Sequence, residues 1–470
     1  MGRSITAEEK QHAQELLQKA RAAMRVIANF DQEKIDRLCR AVGWATANEK
    51  TFTRLAHMSV DESGLGDREG RTTKRFKIMG ILRDALRQKS MGIVEEIPEK
   101  GIVKYAKPAG VIASLVPVTN AALTEAGNGI YSLKCKDAII FSPHPASKKT
   151  TFETVRIMRA ALKKQGAPED LFQCIEKPSI PLAQELMSIC DLTIATGGPA
   201  MVKAAYSSGK PAYGVGAGNS TMVIDETADI ENAVSNTVRS KTSDNGSGCS
   251  SDGNLLVDAS IYDRFLEQLQ KNCGYLVTEE EKKLLLNVLW DSEGHRTGET
   301  IARPASQIAE LAGFAIPAGK KFLIVKEDKI GKEHLFSSEK LSPVLAIFKC
   351  SGFKNALEMV TKIYEVGGKG HSCGIYSFDD QHIHQLALAA PVSRIMVRQP
   401  QSKANAGAFN NGMPMTSSMG CGIWGGNITN ENISLKHYMQ LTWVSLPIPE
   451  DRPSEEELFG EFYNSEVVEV

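Results

Sequence analysis

Residues 110–116 read Gly-Val-Ile-Ala-Ser-Leu-Val, and residues 137–141 read Asp-Ala-Ile-Ile-Phe. Both are short apolar runs, which are typical of strands buried on both faces of a sheet. Residues 171–175 and 192–195 repeat the pattern, and a helical pattern follows each candidate strand. Strands and helices that alternate at this spacing predict a doubly wound parallel sheet, which binds ligands at the carboxyl ends of its strands.

The regions on either side of this core predict the rest of the architecture. Helical periodicity covers residues 7–58, and a second α/β region extends from about 241 to 425. Its strand candidates are residues 254–257, 321–325 and 344–348. We expect residues 1–91 and 108–240 to form a dinucleotide-binding domain and residues 241–433 to form a catalytic domain. Residues 92–107 and 434–448 are expected to form a β arm, and residues 449–470 an acidic tail.

The overall composition excludes several classes of protein. The 470 residues carry a formal net charge of -1 without a basic stripe, which argues against nucleic-acid binding. No apolar run approaches the roughly 18 residues that a membrane span needs. The nine cysteines are scattered without a Cys-x-x-Cys pair, which indicates free thiols in a reducing compartment and no metal site. We therefore expect a cytosolic protein without a bound metal.

Cys249 is the strongest candidate for a chemically active residue. Residues 242–253 read Thr-Ser-Asp-Asn-Gly-Ser-Gly-Cys-Ser-Ser-Asp-Gly, so small and polar side chains surround the thiol. A packing cysteine more often lies among aliphatic residues, whereas a nucleophilic thiolate must be within reach of its substrate. The local composition alone leaves open a loop cysteine without a role.

Two glycine-rich segments are candidates for contact with phosphate. Gly197 and Gly198 follow the strand that ends at Ala195 and precede a helix, so a diphosphate could approach the helix N-terminus. The segment 214–218 looks more like a dinucleotide fingerprint, but it leads into a strand instead of a helix. We therefore interpret it as tight backbone packing beside the active site.

Several motifs, in a consistent order, resemble the CoA-acylating branch of the aldehyde dehydrogenase superfamily. The nucleophile segment, residues 244–251, has the pattern Asp-Asn-Gly-x-x-Cys-Ser-Ser. The resemblance covers roughly residues 100–445, and its supporting segments are 109–120, 138–145, 195–198, 214–219, 339–344, 370–371 and 420–427. It implies the aldehyde dehydrogenase fold, in which a Rossmann-like cofactor domain accompanies an α/β catalytic domain and a β oligomerisation arm.

The resemblance also implies roles for individual residues. Cys249 would attack the aldehyde, and Asn120 together with the Cys249 backbone N–H would stabilise the oxyanion. His371 would either assist thiol exchange or simply pack. The implied cofactor is NADP or NAD, with CoA as co-substrate and a homodimer or homotetramer as the assembly. The implied cofactor contacts are Thr119, Ser142, His144, Pro145, Gly197, Gly198, Gly214, Val215, Gly216, Glu339 and Leu341.

Departures from hydrolytic relatives of the family indicate the reaction. Those enzymes carry a water-activating Glu where this chain has Gly214, which cannot take a proton. Loss of a general base slows a step by about 10²–10⁴-fold, so transfer to a thiol is favoured over hydrolysis. Residues 142–145 read Ser-Pro-His-Pro in place of Lys-Pro-Ser-Glu, so no local carboxylate repels a 2′-phosphate, and NADP is permitted.

The substrate is predicted from polar residues near the nucleophile. Arg398 stands where relatives tend to have Asn, and a guanidinium suits a carboxylate or sulfonate. Ser247 is small and polar and lies next to the nucleophile in sequence. Sulfoacetaldehyde is the first expectation, with succinate semialdehyde and short neutral aldehydes as alternatives. A dehydrogenase that releases the free acid is a further alternative.

Overall fold

A computed structural model describes residues 3–463, which form two parallel sheets and a separate antiparallel arm. The strands are β1 Gly92–Ile97, β2 Ile102–Pro108, β3 Val111–Val116, β4 Ala138–Pro143, β5 Phe172–Cys174, β6 Leu192–Thr196, β7 Ala212–Val215, β8 Thr221–Ile224, β9 Asn254–Asp258, β10 Gly274–Leu276, β11 Phe322–Glu327, β12 Val344–Cys350, β13 Cys373–Tyr376, β14 Ile395–Val397 and β15 Met439–Ser445.

The helices cover the faces of the two parallel sheets. They are α1 Ala7–Ile27, α2 Gln32–Ala47, α3 Glu49–Ser63, α4 Arg68–Thr72, α5 Arg75–Leu86, α6 Leu123–Lys134, α7 Lys148–Lys164, α8 Ile180–Ile189, α9 Pro199–Tyr206, α10 Ile230–Lys241, α11 Tyr262–Lys271, α12 Glu279–Leu289, α13 Ala305–Leu311, α14 Phe353–Val366, α15 Asp380–Ala389, α16 Gln401–Ala404 and α17 Glu455–Phe459. None in the described range is both long and apolar enough to cross a membrane.

The first sheet has five parallel strands in the order β5-β4-β3-β6-β7. All six residues of β3 and all six of β4 are buried, as their continuous apolar runs predict. The chain moves outward from β3 to β5 and then returns to place β6 on the other side of β3. This reversal makes the carboxyl ends of β3 and β6 a topological switch point, where such sheets bind ligands.

The second sheet has seven strands in the order β10-β11-β12-β9-β8-β13-β14, and every adjacent pair is parallel. Strand β8, residues 221–224, belongs to this sheet, and α10 packs against it through Ile230 and Ala233. The change of sheet therefore falls at residues 216–220, before the boundary that we expected at 240. The periodicity of α10 could not reveal which sheet it covers.

The third sheet is antiparallel, in the order β1-β2-β15. It joins residues 92–97, 102–108 and 439–445, whereas the segments expected to form one arm were 92–107 and 434–448. The expected tail contains the short helix α17, and its last residues, 464–470, lie outside the described residues. The role of the arm in assembly stays a prediction.

Candidate active site

Cys249 lies in the loop between α10 and β9, at the amino end of the seven-stranded sheet. Its side chain is half-buried, and its backbone packs against the segment that joins the two sheets. A Cβ atom added at Gly218 would lie 2.0 Å from the carbonyl oxygen of Cys249, so only glycine allows this approach. At Gly214 an added Cβ would meet Tyr206 and Val202 at 2.9 Å. Both contacts agree with our interpretation of 214–218 as tight backbone packing.

His371 is the nearest titratable partner of the nucleophile. Its Nε2 lies 3.1 Å from the Sγ of Cys249, and its Nδ1 lies 2.8 Å from the hydroxyl oxygen of Ser372. The imidazole is buried, and it precedes β13 by two residues, so it shares the amino end of the sheet with Cys249. Sequence analysis left packing and thiol exchange equally open for His371, and this contact favours a chemical role.

A chain of hydroxyl groups determines the tautomer of His371. Ser220 donates its only hydroxyl proton to the carbonyl oxygen of Cys249, at 3.2 Å. Ser220 can then accept from Ser372, at 3.3 Å, and that bond would use the only hydroxyl proton of Ser372. Ser372 therefore accepts from the Nδ1–H of His371, and also from the side-chain amide of Asn405. The Nε2 lone pair is left free to accept the thiol proton.

Both partners are uncharged at neutral pH. Burial, reinforced by the nearby Glu339 carboxylate, raises the pKa of the Cys249 thiol to about 12. Burial, together with the positive charge of Arg394, lowers the pKa of His371 to about 3. The guanidinium of Arg394 donates to the carbonyl oxygen of His371 at 2.9 Å and so stays beside the ring. A preformed thiolate–imidazolium pair is therefore disfavoured, and the thiol loses its proton as it attacks.

We expect alkylation of Cys249 by iodoacetamide to accelerate about tenfold per pH unit between pH 7 and 9. Below a pKa of about 12 the thiolate fraction rises tenfold with each unit of pH, and the thiolate is the reactive form. The intact enzyme is exposed to iodoacetamide for set times and then digested, and mass spectrometry quantifies the modified peptide that carries Cys249. A plateau between pH 6 and 8 would instead indicate a preformed ion pair with His371.

Asn120 lies at the carboxyl end of β3, where Lys74 orients its side chain. The ammonium of Lys74 donates to the Oδ1 of Asn120 at 2.7 Å and to the carbonyl oxygen of Thr119 at 2.8 Å. Because Oδ1 is engaged by a cation, the amide Nδ2 of Asn120 points away from Lys74 and remains a donor. Lys74 also donates a third hydrogen bond, at 2.8 Å, to the Oδ2 of Asp244.

Asp244 connects this group to the nucleophile loop. It forms a buried ion pair with Arg71 at 3.0 Å and accepts the hydroxyl proton of Ser247 at 2.9 Å. Although burial opposes it, the charges of Lys74 and Arg71 lower the pKa of Asp244 to about 2. Asp244 adopts a left-handed backbone conformation, with φ 51°, and the ion pairs offset the free-energy cost of that conformation. The hydroxyl of Ser247 is thus committed to the loop and not directed at a substrate.

Glu339 lies beside the nucleophile and is fixed on both sides. Its Oε1 accepts the backbone N–H of Gly218 at 3.1 Å, and its Oε2 pairs with Arg296 at 3.0 Å. Burial raises the pKa of Glu339, and Arg296 opposes that rise. Leu341, two residues on, adopts φ 46° and accepts the backbone N–H of Ala302 at 2.8 Å. Glu339 therefore tethers the glycine segment at the junction of the two sheets.

The other candidate cofactor residues gather along one edge of the five-stranded sheet. They lie at or just after the carboxyl ends of four strands, namely β3 for Thr119, β4 for Ser142, His144 and Pro145, β6 for Gly197 and Gly198, and β7 for Gly214, Val215 and Gly216. Gly198 is the N-cap of the eight-residue helix α9, and an added Cβ there would contact nothing within 4 Å. This open glycine at a helix N-terminus fits the close approach of a diphosphate.

Sequence analysis missed a carboxylate at this edge. The Oε1 of Glu62 accepts the backbone N–H of Lys149 at 2.8 Å, and its Oε2 accepts that of Thr150 at 2.8 Å. Glu62 belongs to α3, more than 80 positions before α7, whose first turn it caps. The Ser-Pro-His-Pro segment alone therefore does not determine the charge near α7, because Glu62 adds a carboxylate there. A carboxylate at this position disfavours the 2′-phosphate of NADP.

Arg398 does not reach the nucleophile. It follows β14 at the carboxyl end of the seven-stranded sheet, whereas Cys249 and His371 lie at the amino end. Its guanidinium donates to the carbonyl oxygen of Ser377 and stacks on Phe378, 4.6 Å from the ring centroid. The four residues of β13 separate the two ends, at about 3.3 Å each. The structure therefore places Arg398 at the opposite end of the sheet from Cys249, because the parallel register of β14 and β13 carries the side chain away.

Comparison with known proteins agrees with this geometry. The sequence profile of the aldehyde dehydrogenase family matches residues 3–285. A sulfoacetaldehyde dehydrogenase of Acholeplasma sp is 44% identical, over 95% of this chain and 93% of that protein. An acylating sulfoacetaldehyde dehydrogenase of Bilophila wadsworthia is 39% identical, over 96% and 98%. The crystal structure of an acetylating aldehyde dehydrogenase from Geobacillus thermoglucosidasius superposes with a TM-score of 0.91 and 36% identity, over 95% and 99%.

Proposed function

The chain belongs to the aldehyde dehydrogenase family, among its acylating members, and we propose that it oxidises sulfoacetaldehyde with NAD(P)+ and CoA to sulfoacetyl-CoA. The observation that carries the reaction is the 3.1 Å contact between the Sγ of Cys249 and the Nε2 of His371. It pairs a nucleophile with a base whose proton-accepting nitrogen faces the thiol. The dinucleotide would lie along the carboxyl edge of the five-stranded sheet, near Gly198 and Glu339.

The first step joins the substrate to Cys249. His371 accepts the thiol proton as the sulfur attacks the aldehyde carbon, which gives a thiohemiacetal. The Nδ2 of Asn120 and the backbone N–H of Cys249 stabilise the oxyanion. A bound nicotinamide supplies the acceptor for the hydride that leaves this carbon. Cys249 is then left as an acyl thioester.

The second step transfers the acyl group to CoA. His371 first releases to solvent the proton that it took from Cys249. It is then positioned to take the proton of the incoming CoA thiol and to return that proton to the sulfur of Cys249 as the sulfur leaves the acyl carbon. Gly214 lacks the carboxylate that activates water in hydrolytic relatives. A thiol loses its proton far more easily than water does, so His371 suffices for CoA where it would not for hydrolysis.

Two considerations support sulfoacetaldehyde as the substrate. The two similar proteins reported above are named for it, at 44% and 39% identity. The nucleophile loop presents Ser243 and Gly248, which favour a small polar substrate over a hydrocarbon chain. Succinate semialdehyde and short neutral aldehydes are the alternatives.

We further propose that the arm of β1, β2 and β15 joins subunits. It exposes large apolar side chains, of which Trp443 is 60% and Ile93 38% exposed. Strand β1 lies at an edge, and such edges are commonly covered by another chain. A homodimer or homotetramer is the expected assembly, and light scattering coupled to gel filtration measures it.

The reaction is tested by following NAD(P)H absorbance with sulfoacetaldehyde, succinate semialdehyde, acetaldehyde and butyraldehyde, each with and without CoA. We expect a signal that depends strictly on CoA and is strongest with sulfoacetaldehyde, because Gly214 carries no base to activate water. Equal rates without CoA would show that another group activates water. A CoA-dependent signal strongest with another aldehyde would refute only the substrate.

A further inference from the structure

Two lysines beside the nucleophile loop form no ion pair within residues 3–463. Lys77, on α5, donates to the carbonyl oxygens of Ala406 at 2.9 Å and of Gly407. Lys403, on α16, donates to the hydroxyl oxygen of Ser243 at 2.7 Å. Both side chains are half-buried. A partly desolvated cation that has only neutral hydrogen-bond partners is costly, and an anionic ligand would offset that cost.

The surrounding charges leave this position electropositive. The Asp244 carboxylate is already shared by Arg71 and Lys74. Burial, with the positive charge of Lys403, lowers the pKa of Lys77 to about 7, although Asp84 opposes the shift. Burial also lowers the pKa of Lys403, against the attraction of Asp244. An anion bound here would favour the protonated form of both lysines.

The position also suits the geometry of a two-carbon substrate. Ser243, which Lys403 contacts, lies next to Asp244 and six residues before Cys249. Asp244 contacts Lys74, which in turn holds Asn120, so Lys403 and the oxyanion donor lie around the same loop. In sulfoacetaldehyde only one carbon separates the carbonyl carbon from the sulfonate. The cation that binds the sulfonate must therefore lie close to the nucleophile.

We propose that Lys403, assisted by Lys77, binds the anionic group of the aldehyde and so determines substrate specificity. This inference rests on the proposed function and replaces the contact expected of Arg398. Lys403 gives one of its three N–H donors to Ser243, and the sulfonate would accept from the other two.

The test compares Lys403→Met and Lys403→Arg in the full-length enzyme. We expect Lys403→Met to lower the ratio of kcat/KM for sulfoacetaldehyde to that for propionaldehyde by about 10- to 100-fold, the range for a charge-assisted hydrogen bond. Lys403→Arg should restore most of the ratio. Arg398→Met serves as the matched control at the opposite end of the sheet and should leave the ratio unchanged. An unchanged ratio in Lys403→Met would overturn the proposal.

A second measurement does not depend on turnover. Ethanesulfonate should protect Cys249 from iodoacetamide in the wild-type enzyme, and Lys403→Met should raise the half-protecting concentration by about 10- to 100-fold. Absence of protection in the wild type, or equal protection in both, refutes the anion subsite. If ethanesulfonate protects through Lys403 but sulfoacetaldehyde is not oxidised, the subsite stands and the proposed substrate fails.

Discussion

Replacement of Cys249 with alanine is expected to lower CoA-dependent aldehyde oxidation by about 10⁴-fold or more, in line with the loss of other covalent nucleophiles. The reason is specific to this site. The proton that His371 accepts in the first step comes from Sγ, 3.1 Å from its Nε2. Without that atom no thioester forms, and the acyl group has no route to CoA. Initial rates of NAD(P)H formation at saturating substrate measure the effect.

Three further observations separate this result from misfolding or loss of the cofactor. Cys273→Ala, at a half-buried cysteine between α11 and β10, should retain the wild-type rate. Cys249→Ala should still quench its intrinsic fluorescence on addition of NAD(P)H. Mass spectrometry of the wild-type enzyme, incubated with aldehyde and NAD(P)+ but without CoA, should find the acyl group on the Cys249 peptide. Substantial turnover by Cys249→Ala would refute the covalent mechanism.

The strands that carry this site could be predicted because their apolar runs are continuous. Strands β3 and β4 were evident from the sequence, and each is buried along its whole length. Strands β10, β13 and β14 have three or four residues each, too few for a pattern to distinguish them from a loop. Since β13 positions His371 and β14 positions Arg398, the ends of this sheet could not be assigned in advance.

Contacts between distant residues account for the rest of the site. The nucleophile was visible from the small residues around it, but its contact with His371 spans 122 positions. Lys74 and Asp244 are 170 positions apart, and Lys403 and Ser243 are 160 apart. No local pattern encodes such pairs, because a lysine in sequence is most often a solvated charge. The position of Arg398 has the same origin, since the direction of β14 decides which end of the sheet its side chain reaches.

Removal of the oxyanion donor is the second large effect. Asn120→Ala is expected to lower kcat by about 100- to 1,000-fold, the usual cost of losing one such donor. Because Asn120 follows β3 and its own backbone N–H bonds to Pro117, the loop should keep its shape when the side chain is shortened. Single-turnover rates of NAD(P)H formation report the step directly, and the Kd for NAD(P)H should change little. A change confined to KM would contradict a role in the transition state.

Lys74→Met tests how the Asn120 amide is oriented. Loss of the 2.7 Å contact to Oδ1 frees the amide to rotate, so kcat should fall, but by less than in Asn120→Ala. In the double variant, Lys74→Met should add little further loss, because the group that it orients is already absent. If instead Lys74→Met lowers kcat equally in both backgrounds, its contribution acts through Asp244 and the shape of the nucleophile loop. The double-mutant cycle thus distinguishes orientation of the oxyanion donor from support of the loop.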